Sequence, residues 1–120
     1  MTHRAKLCAL RESAFSAQGH LCFYCRHPMW RKGAQAFAVA HGISCEQAEL
    51  FRLTAEHLTA QMDDGPTIAS NIVAACRFCN QGRHALFPSA APDPETYSSF
   101  VLLSVAAGLW HGKDDGAISV

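Results

Sequence analysis

Apolar and polar positions divide the chain into short segments of different period. Between residues 4 and 18, Leu7, Leu10, Ala14, Phe15 and Ala17 recur near a helical repeat, and Gly19 follows where a helix ends on a left-handed residue. Cys22-Phe-Tyr-Cys25 reads as a turn-like knuckle. Ala34 to His41 is alanine-rich and predicts a helix as far as Gly42. Ser44, with Gln47 three residues on, has the form of a capping box and opens a helix through Phe51. Arg52 to Leu58 fits either a continuation of that helix or a switch to strand. Asp63-Asp-Gly-Pro66 has the composition of a loop, and Ile72 to Ala75 reads as a short buried strand. A helix from about Arg77 to Leu86 comes next, stopped by Pro88. Asp93-Pro94-Glu95 then starts a last helix with Pro at the first helical position, in a C-terminal helical extension over 93–110.

That extension is apolar on much of its circumference. Phe100, Leu103 and Trp110 lie on one side, and Val101, Leu102, Val105 and Leu109 on others. Core packing is the ordinary use of such a helix, and a homodimer interface is the alternative.

At 120 residues, 49% hydrophobic and 17% charged, the chain suits a single domain over 1–120 and excludes wholesale disorder. No apolar run approaches the roughly 20 residues of a membrane-spanning helix. The first residues lack the apolar stretch of a secretory signal, so the expected location is cytoplasmic, where six cysteines need a role other than disulfides. Formal net charge is zero, yet residues 1–32 carry six basic side chains and one acid, while 71–84 hold Arg77 and Arg83 with no acid. A local basic face of this kind can meet a phosphate backbone, and a merely solvated helix face is the plain alternative.

The cysteines sharpen the picture. Two residues between thiolates let both sulfurs of Cys22-x-x-Cys25 or Cys76-x-x-Cys79 reach one ion. Two such pairs supply a closed tetrahedral zinc site with Zn–S distances of about 2.3 Å. A closed site has no open position, so this zinc is structural, and its binding contributes on the order of 10 kcal/mol or more towards folding. The competing reading, a redox pair, needs a βαβ context that the pattern lacks. Cys8 and Cys45 have no partner at ligand spacing and read as small core residues. Fifty residues, 26–75, separate the pairs, against about 15–20 in a simple zinc ribbon. The insert therefore frames a substantial element.

Within and just after it stand Glu56-His57, Asn71, Asn80 and His84. Asn80 and His84 are four apart on the expected helix and share a face, whereas Cys79 lies about 100° around it. One helix can thus serve a zinc on one side and a second metal on the other. The plain readings are a helix-end amide and a surface histidine.

Taken in order, Glu56-His57 and Asn71-Ile-Val-Ala-Ala-Cys76-Arg-Phe-Cys79-Asn80-Gln-Gly-Arg-His84 resemble the HNH endonuclease motif, in the branch with a four-cysteine zinc knuckle. The resemblance covers residues 22–25 and 53–86. It implies an α+β fold: a small ββα-metal, treble-clef-like core with structural zinc, spanning 22–86 and flanked by helices at both ends. It implies a metal-dependent DNA endonuclease, with His57 as the general base that activates water and Asn71 tying down the loop beside it. Glu56, Asn80 and His84 would hold one Mg²⁺ or Mn²⁺ ion at the scissile phosphate, leaving 5′-phosphate and 3′-hydroxyl ends. The implied partner is double-stranded DNA. Arg31, Lys32, Arg77 and Arg83 are the candidate phosphate contacts, Arg83 foremost for its nearness to His84.

Three positions depart from the usual pattern. Glu56 stands where Asp is commoner, Asn80 where many members have His, and Arg83 where many have Lys. There is also a geometric demand: a regular strand turns Glu56 and His57 to opposite faces. Both can serve one site only at a strand end or bulge. Any sequence specificity would lie outside the motif, in the helices of 1–20 or 33–51, in a partner protein or in a second copy. The reading from a different class is a non-catalytic zinc module that docks nucleic acid or protein.

Overall fold

The computed structural model describes residues 2–86 and 90–111, with Met62 by its backbone alone. Five helices and one two-stranded antiparallel sheet make up the regular structure of the described residues, a small α+β arrangement. They run α1 (His3–Ala17), α2 (Ala34–His41), α3 (Cys45–Ala48), β1 (Leu53–His57), β2 (Ile72–Cys76), α4 (Arg77–Ala85) and α5 (Pro94–Ala106). None of these helices is long and apolar enough to cross a membrane.

Local chemistry explains most of the boundaries. Thr2 caps α1 by accepting from the Ala5 amide, and Gly19, at φ +67°, turns the chain away from its end. Ser44 and Gln47 form both halves of the capping box. The helix it opens is only α3, continued by a 3-10 turn over Glu49–Phe51. Of the two readings for Arg52 to Leu58, strand is correct. Leu53 pairs with Cys76 and His57 with Ile72 in the β1–β2 register, and the flanking backbone prolongs it through Arg77 N to Arg52 O and Leu58 N to Asn71 O. α4 ends at Ala85 with Leu86 as its cap; Pro88 lies outside the described residues.

A two-stranded sheet has two edges to satisfy. On the β2 edge the Gln18 side chain acts as a surrogate strand. Its amide nitrogen donates to Ala74 O and its carbonyl accepts from Ala74 N, each at 2.9 Å. On the β1 side, Leu53 N donates to Trp30 O at 2.9 Å, so the chain leaving the knuckle aligns with the start of β1. α1 thereby packs across the sheet, with Phe15 in a core that includes Tyr24, Met29, Leu53, Ala74, Tyr97, Val101 and the four paired cysteines.

Two expectations fail here. Cys8 and Cys45 are exposed rather than in the core. The C-terminal extension is helical only to Ala106, because Gly108 at φ +73° reverses the chain and carries Trp110 back onto Cys79. Burial in α5 therefore falls on Tyr97 and Val101, while Leu103 and Leu109 are 72% and 77% exposed. Gly82 permits this docking: a Cβ there would sit 2.7 Å from the Tyr97 hydroxyl, which donates to Cys79 O at 2.6 Å.

Candidate functional site

α4 carries chemistry on two of its faces. On the first, Cys22, Cys25, Cys76 and Cys79 bring four sulfur atoms within 4.8 Å of one another, all buried. A tetrahedron with Zn–S near 2.3 Å has edges of about 3.8 Å, and Cys25 Sγ lies 3.9 Å from Cys76 Sγ. The sulfurs come from two dissimilar pieces of backbone. Cys22 and Cys25 flank a turn in which Arg26 takes a left-handed conformation (φ +65°) and Cys22 N donates to His27 O. Cys76 ends β2 and caps α4, and Cys79 sits in its first turn, where the unsatisfied N–H groups of the helix favour thiolate.

The surroundings are those of a ligated cluster. Backbone amides of Tyr24 and Cys76 donate to Cys22 Sγ, and the Trp110 indole N–H donates to Cys79 Sγ at 3.2 Å. Hydrogen bonds from Cys22 first, then Cys76 and Cys79, pull the Cys25 thiol well below its ordinary value. Burial first, then the neighbouring sulfurs, push Cys79 well above it. One cation that displaces the thiol protons removes the conflict between these opposed shifts. The cluster fits a closed, structural zinc.

On the second face, Glu56, His57, Gln61, Asn80 and His84 line a cleft of about 220 Å³. The demand for a strand end is met, because His57 is the last residue of β1 and the chain bends at Leu58. Glu56 Oε1 lies 3.3 Å from His84 Nε2. Asn80 donates from its amide nitrogen to Thr54 Oγ1 and to Ala55 O, at 3.0 and 3.1 Å. A backbone carbonyl can only accept, so the amide orientation is fixed and Oδ1 is its remaining donor atom for a cation.

His57 Nε2 meets the Thr67 hydroxyl at 3.0 Å. Burial holds its pKa below the usual histidine value, against the smaller raising effect of the Glu56 charge. Asn71 binds the intervening loop at both ends. Its Oδ1 accepts from Thr59 N at 2.8 Å, and its Nδ2 donates to Thr59 O and Pro66 O at 3.0 and 2.8 Å. Gly65 closes the same loop against the Thr59 carbonyl, where any Cβ would overlap it.

Arg83 departs from its expected role. It is 2% exposed, and its guanidinium faces inward: Nε donates to Pro92 O, Nη1 to Glu56 Oε2 and His57 O, and Nη2 to Leu58 O, all within 2.9 Å. With these donors engaged inside, Arg83 is not a surface contact for phosphate. Helical spacing carries part of the reason: Arg83, four residues after Cys79, leans toward the buried side of α4 and lies about 100° around the helix from His84. The other proposed contacts remain outside. Arg31 is exposed and 3.2 Å from Glu12, Lys32 is exposed, and Arg77 is 3.6 Å from Glu49. Arg77 also edges a second cleft of about 590 Å³ along α4, which shares Asn80 and His84 with the first.

Sequence reasoning missed Tyr24. Fully buried within the Cys22–Cys25 turn, it donates from its hydroxyl to Glu56 Oε2 at 3.0 Å, and burial first, then the Glu56 charge, raises its pKa. No spacing rule links a knuckle tyrosine to a strand carboxylate. No family model, no curated protein and no solved structure matches the chain.

Proposed function

We propose that this protein is a metal-dependent DNA endonuclease of the HNH kind, with one structural zinc and a ββα-metal, treble-clef-like core over 22–86. The observation that carries the reading is the convergence of Glu56, Asn80 and His84 beside His57 in one cleft, on the face of α4 turned away from the sulfurs. A structural zinc module needs the four cysteines alone and gives no reason for this second set. Carboxylate, amide and imidazole suit Mg²⁺ or Mn²⁺, with Glu56 Oε1, Asn80 Oδ1 and His84 Nε2 as the atoms that would hold it. When bound, the ion supplies Lewis-acid stabilisation of the leaving 3′ oxygen.

The chain's own residues do the rest. In the tautomer whose Nε2–H donates to Thr67, His57 keeps its lone pair on Nδ1 to take a proton from the attacking water, and burial, by lowering its pKa, favours the neutral ring. Asn71 fixes the loop that carries Thr67, so its contribution is to geometry. The second cleft, with Arg77 at its edge, offers a path for the flanking strand.

One observation favours the non-catalytic alternative, a zinc module that docks nucleic acid or protein: Arg83 already satisfies one oxygen of Glu56 without any ion. Cleavage of supercoiled plasmid in Mg²⁺ or Mn²⁺ separates the two. The expected outcome is nicking or cutting by the parent and none by His57→Ala, at equal zinc content. Equal cutting by His57→Ala would end the mechanism.

A further inference from the structure

Among the described residues, Glu56 is the one carboxylate lining the cleft, and its charge is already matched. Arg83 Nη1 lies 2.9 Å from Glu56 Oε2, both side chains are at most 3% exposed, and Tyr24 donates to the same oxygen. The other polar lining groups, Gln61, Asn80, His57 and His84, bring no negative charge. A buried Arg–carboxylate pair with these extra hydrogen bonds holds its geometry, because separating it would strand an uncompensated charge. A divalent cation entering this cleft therefore finds donor atoms already oriented but no net negative charge to offset its own two. A phosphodiester carries the missing anion.

We infer that the free protein holds a divalent cation only weakly in this cleft, and that cation and phosphodiester enter as a coupled pair. The inference rests on the nuclease reading above and adds the order of assembly and the residue that sets it. Arg83 is a positioning residue. It turns Glu56 Oε2 inward, aims Oε1 at the partner imidazole, and sets the charge that makes cation uptake depend on substrate. Coupling is reciprocal, so the cation tightens DNA binding by the same factor that DNA tightens cation binding.

The test titrates Mn²⁺, followed by its electron paramagnetic resonance signal, into the zinc-loaded full chain with and without a duplex made uncleavable by phosphorothioate linkages. Glu56→Gln with the same duplex gives the Mn²⁺ bound by DNA alone. The expected result is Mn²⁺ affinity at least about tenfold higher in the complex, with the gain absent in Glu56→Gln. Arg83→Gln is expected to bind Mn²⁺ more tightly without DNA and to lose most of the DNA dependence, while Arg83→Lys, which keeps the charge, retains it. Zinc content and circular dichroism check the folding of Arg83→Gln. If it does not fold, the parent comparison decides alone. Equal Mn²⁺ affinity with and without duplex, in a parent that cleaves and a His57→Ala variant that does not, overturns this inference and leaves the nuclease reading intact. No Mn²⁺ uptake in either arm, with no cleavage, overturns both.

Discussion

The two faces of α4 solve opposite problems with the same nine residues of helix. On the cysteine face all four donors are alike, all are buried, and amide and indole N–H groups point at the sulfurs. On the other face the donors differ, His84 is about one-third exposed, and the only carboxylate among the described lining residues has an internal counter-ion. A closed, self-matched cluster excludes water and substrate and stores its binding free energy in the fold. Under the proposed function, an open, charge-balanced cleft keeps coordination positions for an ion that arrives with substrate. The Tyr24 hydroxyl in the knuckle joins the two faces by donating to Glu56 on β1.

That joint makes the largest prediction asymmetric. Removing zinc by chelation, or replacing Cys76 by Ser, should unfold the domain, since binding on the order of 10 kcal/mol or more is withdrawn. Circular dichroism and metal analysis would register it, and DNA cleavage should vanish with the fold. A well-folded, zinc-free Cys76→Ser protein would dissolve the contrast between the faces. The converse should not hold: substitutions in the cleft leave zinc content intact.

Asn71→Ala sharpens the contrast from the cleft side. Three hydrogen bonds from the buried Asn71 side chain to the backbone of Thr59 and Pro66 are lost. The expected cost is about 1–3 kcal/mol in denaturant unfolding, with a steep loss of cleavage and no change in bound zinc. Full cleavage by this variant would show that the loop needs no clamp.

Gly82→Ala probes the third side of α4, where α5 docks. The added Cβ meets the Tyr97 hydroxyl, already committed to Cys79 O. A destabilisation of about 1–2 kcal/mol is expected from overpacking, read as a lowered midpoint with cleavage per folded molecule unchanged. An unaltered midpoint would mean that α5 docks loosely.

The smallest effect is expected at the cap of α5. Asp93 caps α5, and the hydrogen bonds it accepts from the Thr96 amide first, then from the Thr96 hydroxyl, hold its carboxyl below the ordinary value. A depressed folded pKa contributes stability that is present above the unfolded carboxylate pKa and fades as pH falls through the folded one. The parent's advantage over Asp93→Asn should therefore be present at neutral pH and shrink on acidification. A pH-independent difference between the two midpoints would refute the capping charge.

Residue spacing made the cysteine cluster legible: paired sulfurs two residues apart have few other uses, and a tetrahedral ion imposes that spacing wherever it occurs. Helix ends were equally legible at Gly19, Ser44 and Asp93, because capping is a contact over two or three residues. The partner set Asn80 and His84 followed from the helical repeat. The same repeat places Arg83 between the faces of Cys79 and Asn80, so its burial depends on what packs against it. The choice between strand and helix at Arg52–Leu58 was out of reach, since its partner strand lies some twenty residues away in the chain.

What the amino-acid order settled alone were the local matters: the zinc-type cysteine pairs, the caps, and which residues face alike on α4. Tertiary structure decided everything that depends on charge and access. It turned Arg83 from a surface cation into the internal counter-ion of Glu56, brought Tyr24 to the same oxygen, exposed Cys8 and Cys45, and left much of α5 bare. The physical reason is range. Capping and chelate spacing act over a few bonds of one chain segment, whereas the burial of a charge is permitted only by whichever distant group folds against it.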